Sequence, residues 1–147
     1  MYEVFNLAQR MQVEMSQSCF RAGIELANLA ELGLKVAVYE GVLSTDGHPD
    51  LALIGDHDCP FGQWYYGEGN QRLKSYKAFS RIERPHALVH QSGVDALAAH
   101  DQGLLDETLA HLDMMERSNL EVMDIIKHVL IEHERTLNTE PLETAQG

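Results

Sequence analysis

Residues 4–36 read VFNLAQRMQVEMSQSCFRAGIELANLAELGLKV, and this stretch decides the fold class of the chain. Its apolar residues recur at steps of three and four, which is the period of an amphipathic helix. The stripe that they form consists of Val4, Ala8, Met11, Met15, Cys19, Ala22, Leu26, Leu29, Gly33 and Val36. No proline interrupts the pattern, so it predicts one helix from about residue 3 to residue 43. We expect the stripe to face the core of a helical bundle, with Cys19 as a small core residue.

The second half of the chain predicts three more helices. Residues 71–83 carry apolar side chains three apart and predict a short helix. Pro85 suits the first turn of the next helix, because its missing N–H would have no partner there, and the pattern then runs to about residue 99. Residues 104–137 predict the last long helix. Together with the first helix they predict an all-α fold, an antiparallel four-helix bundle.

An irregular connection separates the first helix from the others. Residues 44–50 have the composition of a turn, residues 51–54 offer a short turn at most, and no clear period appears before about residue 70. This loop is rich in glycine and aromatic residues, and long ordered connections usually carry function. At 147 residues the chain predicts a single domain over residues 1–137, followed by a frayed tail at 138–147.

Composition excludes several classes of partner. The chain has 11 Lys and Arg against 23 Asp and Glu, a formal net charge of -12 that repels nucleic acid and anionic lipid. No apolar run reaches the roughly 18 residues of a membrane-spanning helix, and residues 1–20 lack the pattern of a secretion signal. We therefore expect a cytoplasmic protein that binds no nucleic acid, does not insert in membranes and keeps both cysteines as thiols.

Three residues near the middle of the chain have the character of metal ligands. Cys59 opens the loop segment CPFGQWYYGEG, and the pair His86 and His90 follows four residues apart. At about 3.6 residues per turn, this spacing puts both imidazoles on one helix face. Thiolate with imidazole is the donor set that suits zinc, which takes four ligands in closed sites. The spacing does not identify the fourth ligand, for which His57 and His48 are candidates in the loop.

The segment CPFGQWYYGEG at residues 59–69, followed by PHALVH at residues 85–90, resembles the chemoreceptor zinc-binding domain family. The hallmark of that family is a Cys-x-x-Gly-x-Trp segment followed by a His-x-x-x-His pair. The resemblance extends to Lys35 and Tyr39 in the first helix and to residues 118–123 in the last. It implies a four-helix bundle that binds Zn²⁺ through one cysteine and three histidines and reports zinc or oxidants to a signalling module.

Carried over by position, the resemblance implies zinc ligands at Cys59, His86 and His90, but the fourth position departs from the family. The family's first histidine lies four residues before the lysine that matches Lys35, and this chain has Glu31 there. A carboxylate ligates zinc at about 2.0–2.2 Å, and a carboxylate with a thiolate neutralises the charge of the ion. Glu31 is therefore the candidate for the fourth ligand.

One observation speaks against that assignment. Glu31 lies on the side of the first helix opposite Leu29 and Gly33, which belong to the stripe expected to face the core. A solvated glutamate at position 31, with His57 or water as the fourth ligand, therefore stays open as an alternative.

The resemblance implies a stand-alone sensory or regulatory protein of bacterial signalling without catalytic activity. Its expected partner is a chemoreceptor or a cyclase, in chemotaxis or cyclic-di-GMP signalling. A first helix of ~41 residues is about 60 Å long, more than the bundle covers, and predicts a homodimer. One alternative is a bundle enzyme with hydrolytic zinc or a di-iron centre, although Glu83 and His86 supply only one of the two Glu-x-x-His motifs that a di-iron centre needs. The other is an interaction module that zinc only staples.

Overall fold

The computed structural model of the protein describes residues 1–48 and 55–139. In chain order its helices are α1 (Tyr2–Leu43), α2 (Pro60–Trp64), α3 (Asn70–Leu73), α4 (Glu83–Asp101) and α5 (Leu105–Thr139). The predicted all-α bundle is confirmed. The turn considered at residues 51–54 and residues 140–147 of the predicted tail lie outside the described residues. Within the described ranges, no helix is both long and apolar enough to cross a lipid bilayer.

The stretch predicted to be an irregular loop is wound into helical turns from Pro60 onward. A π-helical turn at Tyr65–Gly69 joins α2 to α3, and Gly67 breaks its geometry with φ -97° and ψ -109°. The short helix predicted over residues 71–83 is divided, because α3 ends at Leu73 and a separate 3-10 turn occupies Phe79–Ile82. The apolar side chains of both pieces are nevertheless buried, as their spacing of three residues predicts.

Helices α4 and α5 form an antiparallel hairpin and make the most extensive helix contact in the described part of the chain. Gly103 ends the connection in the left-handed conformation, with φ +73°, which suits the residue after a helix C-terminus. Helix α1 packs against α2 and α4. It contributes Phe20, Ile24 and Ala27 to one apolar cluster and Val38 to a second, so that residue 31 lies between the two.

The prediction that the stripe on α1 faces the core is wrong. Leu26, Leu29 and Val36 are 68%, 62% and 46% exposed, and Cys19 is exposed as well. The face that packs against the bundle is the opposite one, formed by Phe20, Ile24, Ala27, Glu31, Val38 and Gly41. Helix α1 thus has two apolar faces, and a period of three to four residues does not tell which of them points inward. The whole stretch of residues 1–19 is exposed.

Candidate metal centre

The start of α2 places the sulfur of Cys59. Cys59 is the N-cap residue of α2, and its Sγ accepts a hydrogen bond from the backbone N–H of Gly62 at 3.2 Å. Pro60 occupies the first helical position, where no N–H is needed. A Cβ atom on Gly62 would lie 1.9 Å from the carbonyl oxygen of Asp56, so only glycine fits. The spacing of cysteine, proline and glycine therefore holds the sulfur at a fixed point beside a backbone carbonyl.

The carbonyl of Asp56 orients the imidazole of His86. Its oxygen lies 3.0 Å from His86 Nε2 and 3.4 Å from Cys59 Sγ. Because a carbonyl oxygen only accepts hydrogen bonds, Nε2 of a neutral His86 carries the proton and Nδ1 carries the lone pair. Metal-bound histidines commonly donate their other N–H to such a carbonyl. His86 Nδ1 is buried and has no hydrogen-bond partner among the described residues. This is the state expected of a nitrogen atom that is available to bind a metal.

The first two turns of α4 bring the histidine pair together. His86 is 2% exposed and His90 is 9% exposed, and their ring centroids lie 4.9 Å apart. The spacing of four residues puts the rings one above the other on the buried face of the helix, as the sequence predicts. The side of α4 that faces α1 and α2 therefore carries two nitrogen donors.

Glu31 of α1 reaches the same point from the other side. Its side chain is 2% exposed, which contradicts the alternative of a solvated glutamate. Glu31 Oε1 lies 3.5 Å from Cys59 Sγ, 3.7 Å from His86 Nδ1 and 3.6 Å from His90 Nε2. Glu31 Oε2 is buried without a hydrogen-bond partner in the described part of the chain. The stripe does lie opposite Glu31, but it is the stripe that faces outward.

These four side chains form one compact set of donors, which we call the donor cluster: Glu31, Cys59, His86 and His90. One atom from each lies within 4.8 Å of all the others. In a tetrahedral zinc site with bonds of 2.0–2.3 Å, ligand atoms are about 3.3–3.6 Å apart. The three separations from Glu31 Oε1, 3.5–3.7 Å, are close to these values. Within the described ranges, Glu31 Oε2 and His86 Nδ1 are buried without a hydrogen-bond partner. The donor cluster therefore fits Zn²⁺ in size and in donor chemistry.

Aromatic packing shields the donor cluster from water. Phe61 is fully buried, with its ring centroid 4.6 Å from that of His86 and 5.7 Å from that of Trp64. Gly69 allows the backbone to pass close to Trp64, since a Cβ there would lie 3.0 Å from the indole ring. A dry environment strengthens the electrostatic interaction between donors and a cation.

The electrostatics of the donor cluster favour the thiolate. Burial raises the pKa of the Cys59 thiol, but hydrogen bonds from His86, His90 and the Gly62 N–H outweigh it and hold that pKa below its usual value. Burial lowers the pKa of both histidines, yet hydrogen bonding to Cys59 and the nearby Glu31 raise the pKa of His86 and bring that of His90 to about 10. Because zinc binds thiolate and neutral imidazole, its binding displaces protons from the rings.

The other candidate ligands lie elsewhere. His57 is exposed and stacks on the ring of Tyr66, with centroids 4.1 Å apart. His48 lies 2.9 Å from Asp101 at the far end of the bundle. Glu83, considered for a di-iron centre, accepts a hydrogen bond from Tyr66. Among the described residues, none of these three side chains belongs to a group that can hold a metal ion.

The comparison with known families matches the segment that carries three of the four residues of the donor cluster. The family model described as "Chemoreceptor zinc-binding domain" matches residues 32–97, which include Cys59, His86 and His90. Residues 32–97 are thus similar to a chemoreceptor zinc-binding domain. The match begins one residue after Glu31, so it does not bear on the fourth donor. The chain has no match among curated proteins or solved structures. The chemoreceptor zinc-binding domain is a zinc-binding signalling domain, sensory and not catalytic.

Sequence reasoning missed the backbone groups that hold the donors. Neither the Asp56 carbonyl nor the Gly62 N–H has a side-chain signal, although the spacing from Cys59 to Gly62 is the usual reach of an N-cap side chain. It also missed Glu116 of α5, which contacts Lys35 and Tyr39 of α1. A contact between helices that are far apart in the sequence cannot be predicted from the residue pattern of either helix.

Proposed function

We propose that this chain is a zinc-binding sensory protein in which Glu31, Cys59, His86 and His90 ligate one Zn²⁺. The observation that carries the proposal is the convergence of these four buried side chains within 4.8 Å. Burying so many titratable groups away from water is costly unless they are paired or coordinate a metal. One thiolate and one carboxylate balance the double charge of zinc, so the occupied site is neutral as a whole.

The ligand count favours sensing over catalysis. Four protein donors complete a tetrahedron, whereas catalytic zinc keeps one position open for water or substrate. We therefore propose that the protein is not an enzyme. A redox response is compatible with the same site, because a hydroperoxide can transfer one oxygen atom to the Cys59 thiolate, giving a sulfenate and an alcohol or water. The thiolate would then be lost as a ligand.

The output of the proposed sensor is a change in α1. Zinc would tie α1, through Glu31, to α2 and α4, which carry Cys59 and His86 with His90. A ligand that stabilises one packing shifts the population of molecules toward that packing. We propose that a signalling partner in chemotaxis or cyclic-di-GMP signalling, a chemoreceptor or a cyclase, reads this difference. A reducing compartment such as the cytoplasm would keep Cys59 able to bind zinc.

A second copy of the chain is the proposed partner of the outward stripe. The stripe runs from Val4 to Val36 with apolar residues at steps of three and four, the spacing with which helices pair in coiled coils. Its side chains are exposed over the bundle, at Leu26 and Leu29, and beyond it, at Met11 and Met15. Contiguous exposed apolar surface of this kind marks an interaction site. A homodimer would cover it along its whole length.

Metal analysis by mass spectrometry tests the zinc assignment. We expect about one zinc per chain in protein purified without added metal or a histidine tag. Cys59→Ser, Glu31→Gln and the pair His86→Ala with His90→Ala should each lower this content. Matched exposed residues serve as controls and should leave it unchanged: Cys19→Ser, Glu25→Gln and His128→Ala. Unchanged zinc in the double histidine variant would overturn the site, and unchanged zinc in Glu31→Gln alone would remove Glu31 from it.

A further inference from the structure

A carboxylate on α5 is held by two side chains of α1. Lys35 Nζ lies 2.5 Å from Glu116 Oε2, and the Tyr39 hydroxyl donates a hydrogen bond to Glu116 Oε1 at 2.9 Å. Both oxygens of Glu116 are therefore used. The Lys35 side chain is 14% exposed and that of Glu116 is 36% exposed. Such a partly buried, charge-assisted contact is stronger than an ion pair in open solvent.

The two side chains that hold Glu116 follow Glu31 along α1. Glu31, Lys35 and Tyr39 are four residues apart, so they lie on successive turns and each is rotated by about 40° from the one before. The first enters the donor cluster and the other two contact Glu116. Because an α-helix is stiff over two turns, the rotation that seats Lys35 and Tyr39 also sets the direction of Glu31.

Apolar packing fixes which face of α1 points inward and how close the helix comes to the bundle, and the contacts with Glu116 set the rotation more finely within that range. Val38 is fully buried, and a Cβ on Gly93 of α4 would lie 2.9 Å from it, so the two helices are in close contact here. Contacts between apolar groups have no directional preference, whereas hydrogen bonds do. A second ion pair between α1 and α5 joins Arg21 to Glu134. Both side chains are exposed, so this pair contributes little to the stability of the helix contact.

We infer that Glu116 is a positioning residue of the metal centre, which acts through Lys35 and Tyr39 to set the rotation of α1 that directs Glu31 at His86 and His90. The inference rests on the proposed function, because it assumes that Glu31 is a ligand. The recorded side-chain contacts of Glu116 are with Lys35 and Tyr39, and none is with the donor cluster. Its effect on the metal is therefore transmitted by α1.

The test uses Glu116→Gln in the full chain, with Co²⁺ as a spectroscopic probe and zinc affinity measured against a chelator. Glutamine keeps the shape of the side chain and loses the ion pair with Lys35. Loss of partners that orient metal ligands commonly weakens metal binding 10- to 100-fold, so we expect about a tenfold loss of zinc affinity. The visible absorption of bound Co²⁺ should also weaken, because a displaced carboxylate leaves a less tetrahedral site. Asp113→Asn, which breaks the exposed pair with Arg117 on the same helix, should change neither property.

The same substitution in a Glu31→Gln background separates positioning from general stability. If Glu116 acts through Glu31, Glu116→Gln should cost no further affinity once Glu31 is gone. An equal loss in both backgrounds, or wild-type affinity and spectrum in Glu116→Gln, would overturn the positioning role. Should Glu116→Gln fail to fold by circular dichroism, Tyr39→Phe removes one hydroxyl only and should show a smaller loss with the same dependence on Glu31; a loss independent of Glu31 would again overturn it. A wild-type chain that binds neither Zn²⁺ nor Co²⁺ would instead overturn the proposed function itself.

Discussion

Gly62 fixes two donors at once, although it is not itself a ligand. Its N–H donates to Cys59 Sγ, and its missing Cβ leaves room for the Asp56 carbonyl that meets His86. We predict that Gly62→Ala lowers zinc content and destabilises the fold by about 3 kcal/mol or more, because backbone has to move to remove a 1.9 Å contact. Metal analysis and urea unfolding monitored by circular dichroism measure the two effects.

Gly33→Ala is the matched control for that prediction. A Cβ on Gly33 meets nothing within 4 Å, and the residue lies on the outward face of α1. Because Gly33 belongs to the outward stripe and not to the donor cluster, this variant should keep its zinc. Equal zinc content in both alanine variants would contradict the role given to Gly62.

The residues of the site differ in how well the sequence alone could predict them. The pair His86 and His90 and the loop Cys59 have a local pattern, since helical spacing and an N-cap motif are encoded within a few residues. The resemblance to the family identifies position 31, but the sequence around it does not show that Glu31 is buried, because α1 carries apolar residues on both of its faces. Glu116 could not be predicted at all, since its partners are 81 and 77 residues away.

Helix α1 separates two tasks by face. The inner face carries Glu31 and the outer stripe carries Leu26 and Leu29. We predict that Leu26→Gln with Leu29→Gln converts the proposed homodimer into a monomer in light scattering, because the two polar side chains would have no partner in the helix interface, while zinc content stays at the wild-type level. Leu109→Gln with Leu120→Gln, exposed leucines of α5, should leave the dimer intact.

Either of two results would contradict the assignment of the stripe. A wild-type chain that is monomeric at tens of micromolar would leave the stripe without the second copy proposed for it. A Leu26 and Leu29 variant that remains dimeric would place the interface on another face.

The sequence predicted the length and position of α1, but both faces have the same period, so only packing against α2 and α4 decides which one is inside.

For the molecule as a whole, zinc bound by the donor cluster would act as a cross-link between distant parts of the chain. Cys59 is 28 residues from Glu31 and 27 residues from His86. Closing a loop of this size in the unfolded chain costs about 3.5 kcal/mol in the chain-entropy model used for disulfides, and metal clips follow the same logic. We predict that a chelator lowers the melting temperature by on the order of 10 °C, measured by circular dichroism.

The Cys59→Ser variant controls for direct effects of the chelator. It lacks the thiolate of the cross-link, so its melting temperature should already be low and should not respond to the chelator. A wild-type chain with the same transition in the presence and absence of chelator would show that the donor cluster does not hold a metal that matters for stability.

The helices that contact one another are separated by connections of very different length in the sequence, and this affects the order in which the chain folds. The α4–α5 hairpin has a short connection and the most extensive helix contact, whereas α1 meets α4 only across a long segment. Local contacts form faster than distant ones, so we expect the hairpin to fold first and α1 to dock last. The docking of α1 is also the step that carries Glu31 to the histidines. Zinc present while the chain folds would therefore be enclosed as α1 closes, and a mature molecule would exchange its ion only as often as α1 opens.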